Sequence, residues 1–274
     1  MPFVKRSDGP DLHYTVTDFT DPWLDAPVLF LQHGYGRNSR FWYEWVPTLS
    51  RHFKVITPDM RGQGRSPATF DLQSGFTLDS LSADVIAIAD DLGVKRFHYC
   101  GESIGGLIGL AVGGNYPDRL LTLTNVSGPV FISDGARVGY ALGTSSWPDA
   151  IRELGPREWL IRTNASTRFP PDFSQDFLDW YTDSVETTGA PVLAALAQFA
   201  LDADARPLLP KITAPVLCIY PKQGAIANTE QQNTIRQHVR NVSISEVETT
   251  YHMVQHIVPQ ACIDLLQGHI SAAV

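Results

Sequence analysis

The chain is 274 residues long, and 21 Lys+Arg against 29 Asp+Glu give it a formal net charge of −8. That acidic excess withholds the basic field a phosphate backbone requires, so nucleic acid is not an expected partner. With 43% hydrophobic and 18% charged residues it reads as a globular chain with one well-buried core, not a disordered one.

Cys100, Cys218 and Cys262 are single, widely spaced and odd in number, which fits neither a disulfide framework nor a zinc motif. The first dozen residues carry Lys5, Arg6, Asp8 and Asp11 without an apolar run, so no secretory signal is expected. The most apolar stretch, residues 104–114, is far shorter than the roughly 20 residues a membrane span needs. A soluble, cytoplasmic protein is the expectation, with a small-molecule substrate as partner and homodimerisation left open.

In chain order, β-branched and aromatic runs at residues 11–17, 28–32, 53–57, 96–100, 120–126, 216–220 and 242–247 alternate with helical patterns. That alternation predicts βαβ units and a mostly parallel sheet. The clearest helix is 77–92, with Leu78, Leu81, Val85, Ile88, Ala89 and Leu92 on one face and Asp79, Asp84, Asp90 and Asp91 opposite. A last helix over 259–271 shows an apolar face through Cys262, Leu265, Leu266 and Ile270. Between residues 128 and 214 the alternation stops. This block holds Trp147, Trp159 and Trp180, with Phe169, Phe173, Phe177 and Tyr181, and is interrupted by Pro148, Pro156, Pro170, Pro171 and Pro191. It reads as a helical cap over a sheet edge or, alternatively, as a helical subdomain with a small core of its own. The expected division is a core of residues 1–127 and 215–274 and a cap of residues 128–214.

The strand at 96–100 runs into Gly101-Glu102-Ser103-Ile104-Gly105-Gly106 and then into a helical stretch. Strand, G-x-S-x-G, helix is the pattern of a nucleophile on a sharp turn; side chains at the flanking glycines would clash, and the helix amides point at developing negative charge. A second strand ends in Gln32-His33-Gly34-Tyr35-Gly36. The amides of Tyr35 and Ile104 are the candidate oxyanion donors, because a tetrahedral intermediate needs two on one oxygen. His33, just inside a strand end, is read as a loop hydrogen-bonder. The base must follow the serine and lie just after a late strand, which selects His252. His269 lies within the last helix, His238 before the final strand, and His13 and His52 before the elbow; His256 is a weaker alternative.

These residues, together with Pro58-Asp59-Met60-Arg61-Gly62-Gln63-Gly64-Arg65-Ser66, resemble the α/β-hydrolase superfamily over nearly the whole chain, in particular the small capped enzymes typified by 3-oxoadipate enol-lactonases and related esterases. The resemblance implies an α/β fold with an eight-stranded, mostly parallel sheet flanked by helices, a helical cap inserted after the sixth strand, and a Ser-acid-His triad. The serine argues against relatives whose nucleophile is an aspartate.

One part of the family pattern is missing. Gly224 stands where the acid after the seventh strand is expected, and Asn125, Ser127 and Gly128 occupy the other usual location. Three arrangements stay open: Glu248 swinging in from its own loop, Glu230 reaching from the next helix, or a dyad in which a neutral group such as Gln223 or Asn228 orients His252. The dyad or neutral orienter is preferred, because no carboxylate has the right address. Glu102 is expected to point away from the pocket. Trp42 and Trp147 are candidate pocket residues, and Arg37 and Arg40 are candidates for a substrate carboxylate, with solvation or pairing to Glu44 as the preferred reading of both. No metal or cofactor is expected: no histidine pair flanks a glutamate, and Gly62-Gln63-Gly64-Arg65-Ser66-Pro67 ends in proline where a dinucleotide loop needs glycine. The expected function is hydrolysis of a small carboxylic ester or lactone. The alternatives are C–C bond hydrolysis of a ring-cleavage product and a catalytically silent ligand binder.

Overall fold

The computed structural model describes residues 2–6, 9–224, 226 and 228–273. Asp8 of the N-terminal stretch, and Ala225 and Ala227 of the stretch read for a missing acid, lie outside the described residues. Eight strands form one sheet: β1 (Phe3–Val4), β2 (Leu12–Thr17), β3 (Val28–Gln32), β4 (Lys54–Pro58), β5 (Phe97–Glu102), β6 (Leu120–Val126), β7 (Val216–Pro221) and β8 (Val242–Val247). Their spatial order is β1-β2-β4-β3-β5-β6-β7-β8. β1 and β2 pair antiparallel and everything from β4 to β8 is parallel. β1 is two residues long, too short to show in a sequence pattern.

The inner strands are buried on both faces, so β5 and β7 read as unbroken buried runs, whereas the edge strand β8 is largely half-exposed. Alternation along β3 sends Leu29 and Leu31 to one face and Phe30 to the other, where two separate apolar clusters form. The helices that cover the sheet are α1 (Val46–Leu49), α2 (Leu78–Asp91), α3 (Ile104–Asn115), α9 (Thr229–His238), α10 (Val254–Ile257) and α11 (Pro259–Ala272). Thr77 and Ser80 close a reciprocal cap at the start of α2. Among the described residues no helix is long and apolar enough to cross a membrane.

The segment between β6 and β7 is helical: α4 (Asp134–Ala141), α5 (Trp147–Leu154), α6 (Pro156–Thr163), a π-helical turn (Asn164–Arg168), α7 (Gln175–Glu186) and α8 (Ala190–Asp202). Three of its prolines start helices: Pro148, Pro156 and Pro191 occupy first-turn positions of α5, α6 and α8, where the missing N–H costs nothing. Ser133, Ser146 and Ser174 cap α4, α5 and α7 with their hydroxyls. Trp147, Trp159, Tyr181 and Leu193 from this segment join the same apolar cluster as Phe30, Tyr99 and Leu123 of the sheet. The segment therefore has no separate core.

Strand order reverses between β4-β3 and β3-β5, and the carboxyl ends of strands flanking such a switch point form the natural crevice of an open parallel sheet. Register sets Gln32 opposite Gly101, which brings the loop from His33 onward against Glu102, Ser103 and Ile104. Glycine is what lets the chains meet. A Cβ on Gly101 would lie 2.2 Å from the Gly105 carbonyl oxygen, and one on Gly105 would lie 2.3 Å from that of Gln32. Both obstacles are backbone and cannot swing aside. Gly105→Ala is accordingly expected to cost about 1–3 kcal/mol or more, read as a lower Tm by calorimetry; an unchanged Tm would contradict this packing.

Candidate active site

Ser103 sits between β5 and α3 at φ 55°, ψ −121°, a conformation L-residues seldom adopt. The turn is held by Ser103 N donating to Val126 O at 2.8 Å, by Gly106 N donating back to Ser103 O at 2.9 Å, and by the Tyr99 hydroxyl donating to Gly105 O at 2.8 Å. Ser103 Oγ lies 3.0 Å from His252 Nε2, across 149 residues of sequence. His252 is supported through its backbone by the β6–β7 segment: its N–H donates to Thr167 O at 3.0 Å and that of Met253 to Arg168 O at 3.2 Å. No acceptor among the described residues takes the amide of Tyr35 or Ile104; Ile104 follows the serine in the chain, and Gly34, next to Tyr35, closely approaches the serine side chain. The Tyr35 side chain is buried, with its hydroxyl donating to Leu193 O at 2.7 Å.

His252 Nδ1 is buried and has no hydrogen-bond partner among the described residues. Glu248 is corrected: it is exposed and ion-paired with Lys222, because the edge position of β8 leaves it facing solvent. Glu230 lies exposed in the first turn of α9, and Gln223 is exposed in the turn after β7; neither hydrogen-bonds His252. Asn228 is spent capping α9, and Asn125 is spent on Gly128, accepting from its N–H at 2.8 Å and donating to its carbonyl at 3.1 Å. His256 faces elsewhere, against Phe177 and Glu44.

Burial, then the positive charges of Arg37 and Arg168, push the His252 imidazole down from its ordinary value to about 3. It is neutral at pH 7, as a base must be. His33 is also lowered by burial; it fits a neutral tautomer in which Nδ1–H donates to Gly34 O and Nε2 accepts from Met60 N, each at 2.9 Å. The expectation that His33 braces the loop is met.

Arg37 requires correction. Neither solvated nor paired with Glu44, it is buried in a bidentate pair with Glu102, Nε to Oε1 at 2.6 Å and Nη2 to Oε2 at 2.5 Å. Its Nη1 donates to the Tyr181 hydroxyl at 2.9 Å. Burial works against the guanidinium charge, but Glu102 and Tyr181 more than offset it, and the net shift is upward. The guanidinium is therefore occupied. Glu102 also accepts from Gly34 N and from Gln255 Nε2, so it braces the site from behind.

Trp42 is corrected as well. It packs edge-on against Trp45, centroids 5.0 Å apart, in the apolar cluster that includes Leu29, Cys100 and Leu266 on the sheet face away from Tyr35 and Ile104. Trp147 packs against Tyr35. Its ring lies 4.8 Å from that of Tyr35, 4.5 Å from Tyr140 and 5.6 Å from Trp159, which it stacks upon at 15°. Arg168 carried no signal in the sequence: it is one of several arginines of the 128–214 block, and it is buried over the faces of Tyr140 and Trp159. No cluster of three or more His, Cys, Asp or Glu among the described residues is arranged to hold a metal ion.

A sequence-family profile described as alpha/beta hydrolase fold matches residues 27–257. The chain belongs to that family and is a hydrolase. It is similar to 3-oxoadipate enol-lactonase 2 of Acinetobacter baylyi, 25% identical over 230 residues covering 83% of this chain and 82% of the relative. It is also similar to a putative carbamate hydrolase RutD of Stutzerimonas stutzeri, 24% identical over 248 residues covering 85% and 87%. The crystal structure of the enol-lactonase from Burkholderia xenovorans LB400 superposes with a TM-score of 0.85 at 24% identity, covering 98% of this chain and 100% of that one, and shows the shared fold.

A histidine whose folded value is depressed binds its proton less readily in the fold than in the unfolded chain. Its contribution to stability is present above the unfolded value near 6.5 and is lost as pH falls toward about 3. In ¹H–¹⁵N NMR the His252 ring should show the neutral pattern from about pH 8 to pH 5; a midpoint near the ordinary value, about 6.5, would contradict the buried, doubly repelled imidazole.

Proposed function

We propose that the chain hydrolyses a small carboxylic ester or lactone through an acyl-enzyme on Ser103. The 3.0 Å contact between Ser103 Oγ and His252 Nε2 at a strained elbow carries the reading. His252 Nε2 accepts the hydroxyl proton as Oγ bonds to the substrate carbonyl carbon, and the amides of Tyr35 and Ile104 receive the carbonyl oxygen as it becomes negative. Collapse breaks the bond to the leaving oxygen, which takes the proton back from His252. A water then repeats the sequence: His252 removes its proton, its oxygen attacks the acyl carbon, and Ser103 leaves with the proton restored. In a lactone the leaving oxygen stays tethered and the product is one hydroxy or oxo acid.

The charge on His252 decides which bonds fall within reach. Its transient imidazolium forms in a buried site near two guanidiniums, with no carboxylate among the described residues on Nδ1. Such a base suits substrates whose leaving oxygen departs with little protonation, such as an aryl ester or an enol lactone, and serves amides poorly. The names of the enol-lactonase relatives support that class. The helical segment between β6 and β7 acts in this reading as the cap, since it supplies Trp147, Arg168 and the carbonyls that hold the His252 loop.

With 4-nitrophenyl acetate, Ser103→Ala and His252→Ala should each lower kcat by about 10⁴-fold or more, while Glu248→Gln and Glu230→Gln keep most of it. Undiminished turnover in Ser103→Ala would overturn the mechanism. A loss in either glutamate variant approaching that of His252→Ala would overturn the dyad.

A further inference from the structure

Arg168 ends the π-helical turn Asn164–Arg168 and is 3% exposed. The other two buried arginines among the described residues each hold a carboxylate, Arg37 on Glu102 and Arg61 on Asp84. Arg168 pairs with no carboxylate among the described residues. Its hydrogen bonds both leave from Nη1, to Thr163 Oγ1 and to Asn164 Oδ1 at 3.4 Å, and Nε and Nη2 meet no protein acceptor among the described residues. Its carbon Cζ stands 4.8 Å from the ring centroid of Trp159 and 5.3 Å from that of Tyr140. Aromatic faces favour a cation but accept no fork of N–H groups, and a desolvated charge left with open donors is costly to keep.

The guanidinium lies within electrostatic reach of His252. Trp159, on which it lies, is 5.6 Å from the ring of Tyr35, the residue whose amide serves the oxyanion. The Arg168 carbonyl holds Met253, next to the base. Its charge is felt at both His252 and Tyr35. A planar fork with two free donors, walled by apolar rings, matches a carboxylate.

We infer that Arg168 is the anion-binding group of the substrate pocket, so that the ester or lactone attacked by Ser103 carries a free carboxylate that docks on Nε and Nη2. The inference rests on the ester or lactone reading of Ser103 and His252 and narrows it to an acidic substrate. The docked carboxylate offsets the positive charge that disfavours a protonated His252. The substrate then brings to the site a negative charge that no described residue places on His252 Nδ1.

The test compares kcat/KM for the mono-4-nitrophenyl ester of a straight-chain dicarboxylic acid with that for the 4-nitrophenyl ester of the monocarboxylic acid of equal length. The unmodified protein should favour the acidic ester, and in Arg168→Gln the ratio of the two should fall by about 10-fold or more, the scale set by removing one charge-assisted recognition contact. In the unmodified protein, a simple dicarboxylate such as glutarate should compete with the neutral ester and raise Tm, which tests the site without any variant. No preference for the acidic ester, a ratio unchanged by Arg168→Gln, or glutarate that neither competes nor stabilises would each overturn the assignment. Turnover of both esters persisting in Ser103→Ala would instead overturn the reading on which it rests.

Discussion

The buried pair of Glu102 and Arg37 is the constraint on which the site depends. Glu102 precedes Ser103, and its two oxygens gather Arg37 and Gly34 N from the loop after β3 and Gln255 from the chain beyond His252. Arg37 in turn holds the Tyr181 hydroxyl of α7. Four segments far apart in sequence are thus fastened at one charge pair with almost no solvent access. Taking such ions out of water is costly, and removing one partner from a buried pair typically costs about 3–5 kcal/mol, because the other is left without compensation. The pair is better understood as fixing relative positions than as a source of net stability.

Its electrostatic consequence reaches the chemistry. Glu102 neutralises Arg37 locally, yet Arg37 and Arg168 still act on His252, and burial adds to them. In a familiar triad a carboxylate on Nδ1 holds the tautomer and steadies the imidazolium. Here the orientation of His252 comes from its backbone, through the bonds to Thr167 and Arg168, and from Ser103 itself. His252 is positioned by the helical segment and has no charge partner on Nδ1 among the described residues. Under the proposed mechanism that combination favours bonds that break easily and substrates that carry their own negative charge.

Much of this was legible in the sequence because it is local or ordered along the chain. The elbow follows from glycines at fixed offsets around Ser103, and the backbone a side chain would strike at Gly101 and Gly105 shows why those offsets are obligatory. The candidate oxyanion loop follows from the glycine turn, Gly34-Tyr35-Gly36, that succeeds a strand. His252 follows from chain order, as the first histidine after the last strand, with His256 four residues on as the weaker alternative. Other features rest on pairings that no local pattern encodes. Arg37 meets Glu102 across 65 residues. Trp42 ends a short 3₁₀ turn, Ser39–Trp42, whose rotation sends it to the opposite apolar cluster. Glu248 has the right spacing from His252, but an edge strand leaves it in solvent with Lys222. Arg168 carries no sequence signal, because an arginine among aromatics and prolines looks the same exposed or buried.

The central claim is that Ser103 is an activated nucleophile facing a neutral His252. Its most direct measurement is reaction of the folded protein with a fluorophosphonate, followed by mass spectrometry of the intact chain and its peptides. One adduct per chain, confined to the peptide bearing Ser103 and lost when the protein is unfolded beforehand, is the predicted result. An adduct on another residue, or no adduct from protein that still turns over an ester, would contradict it.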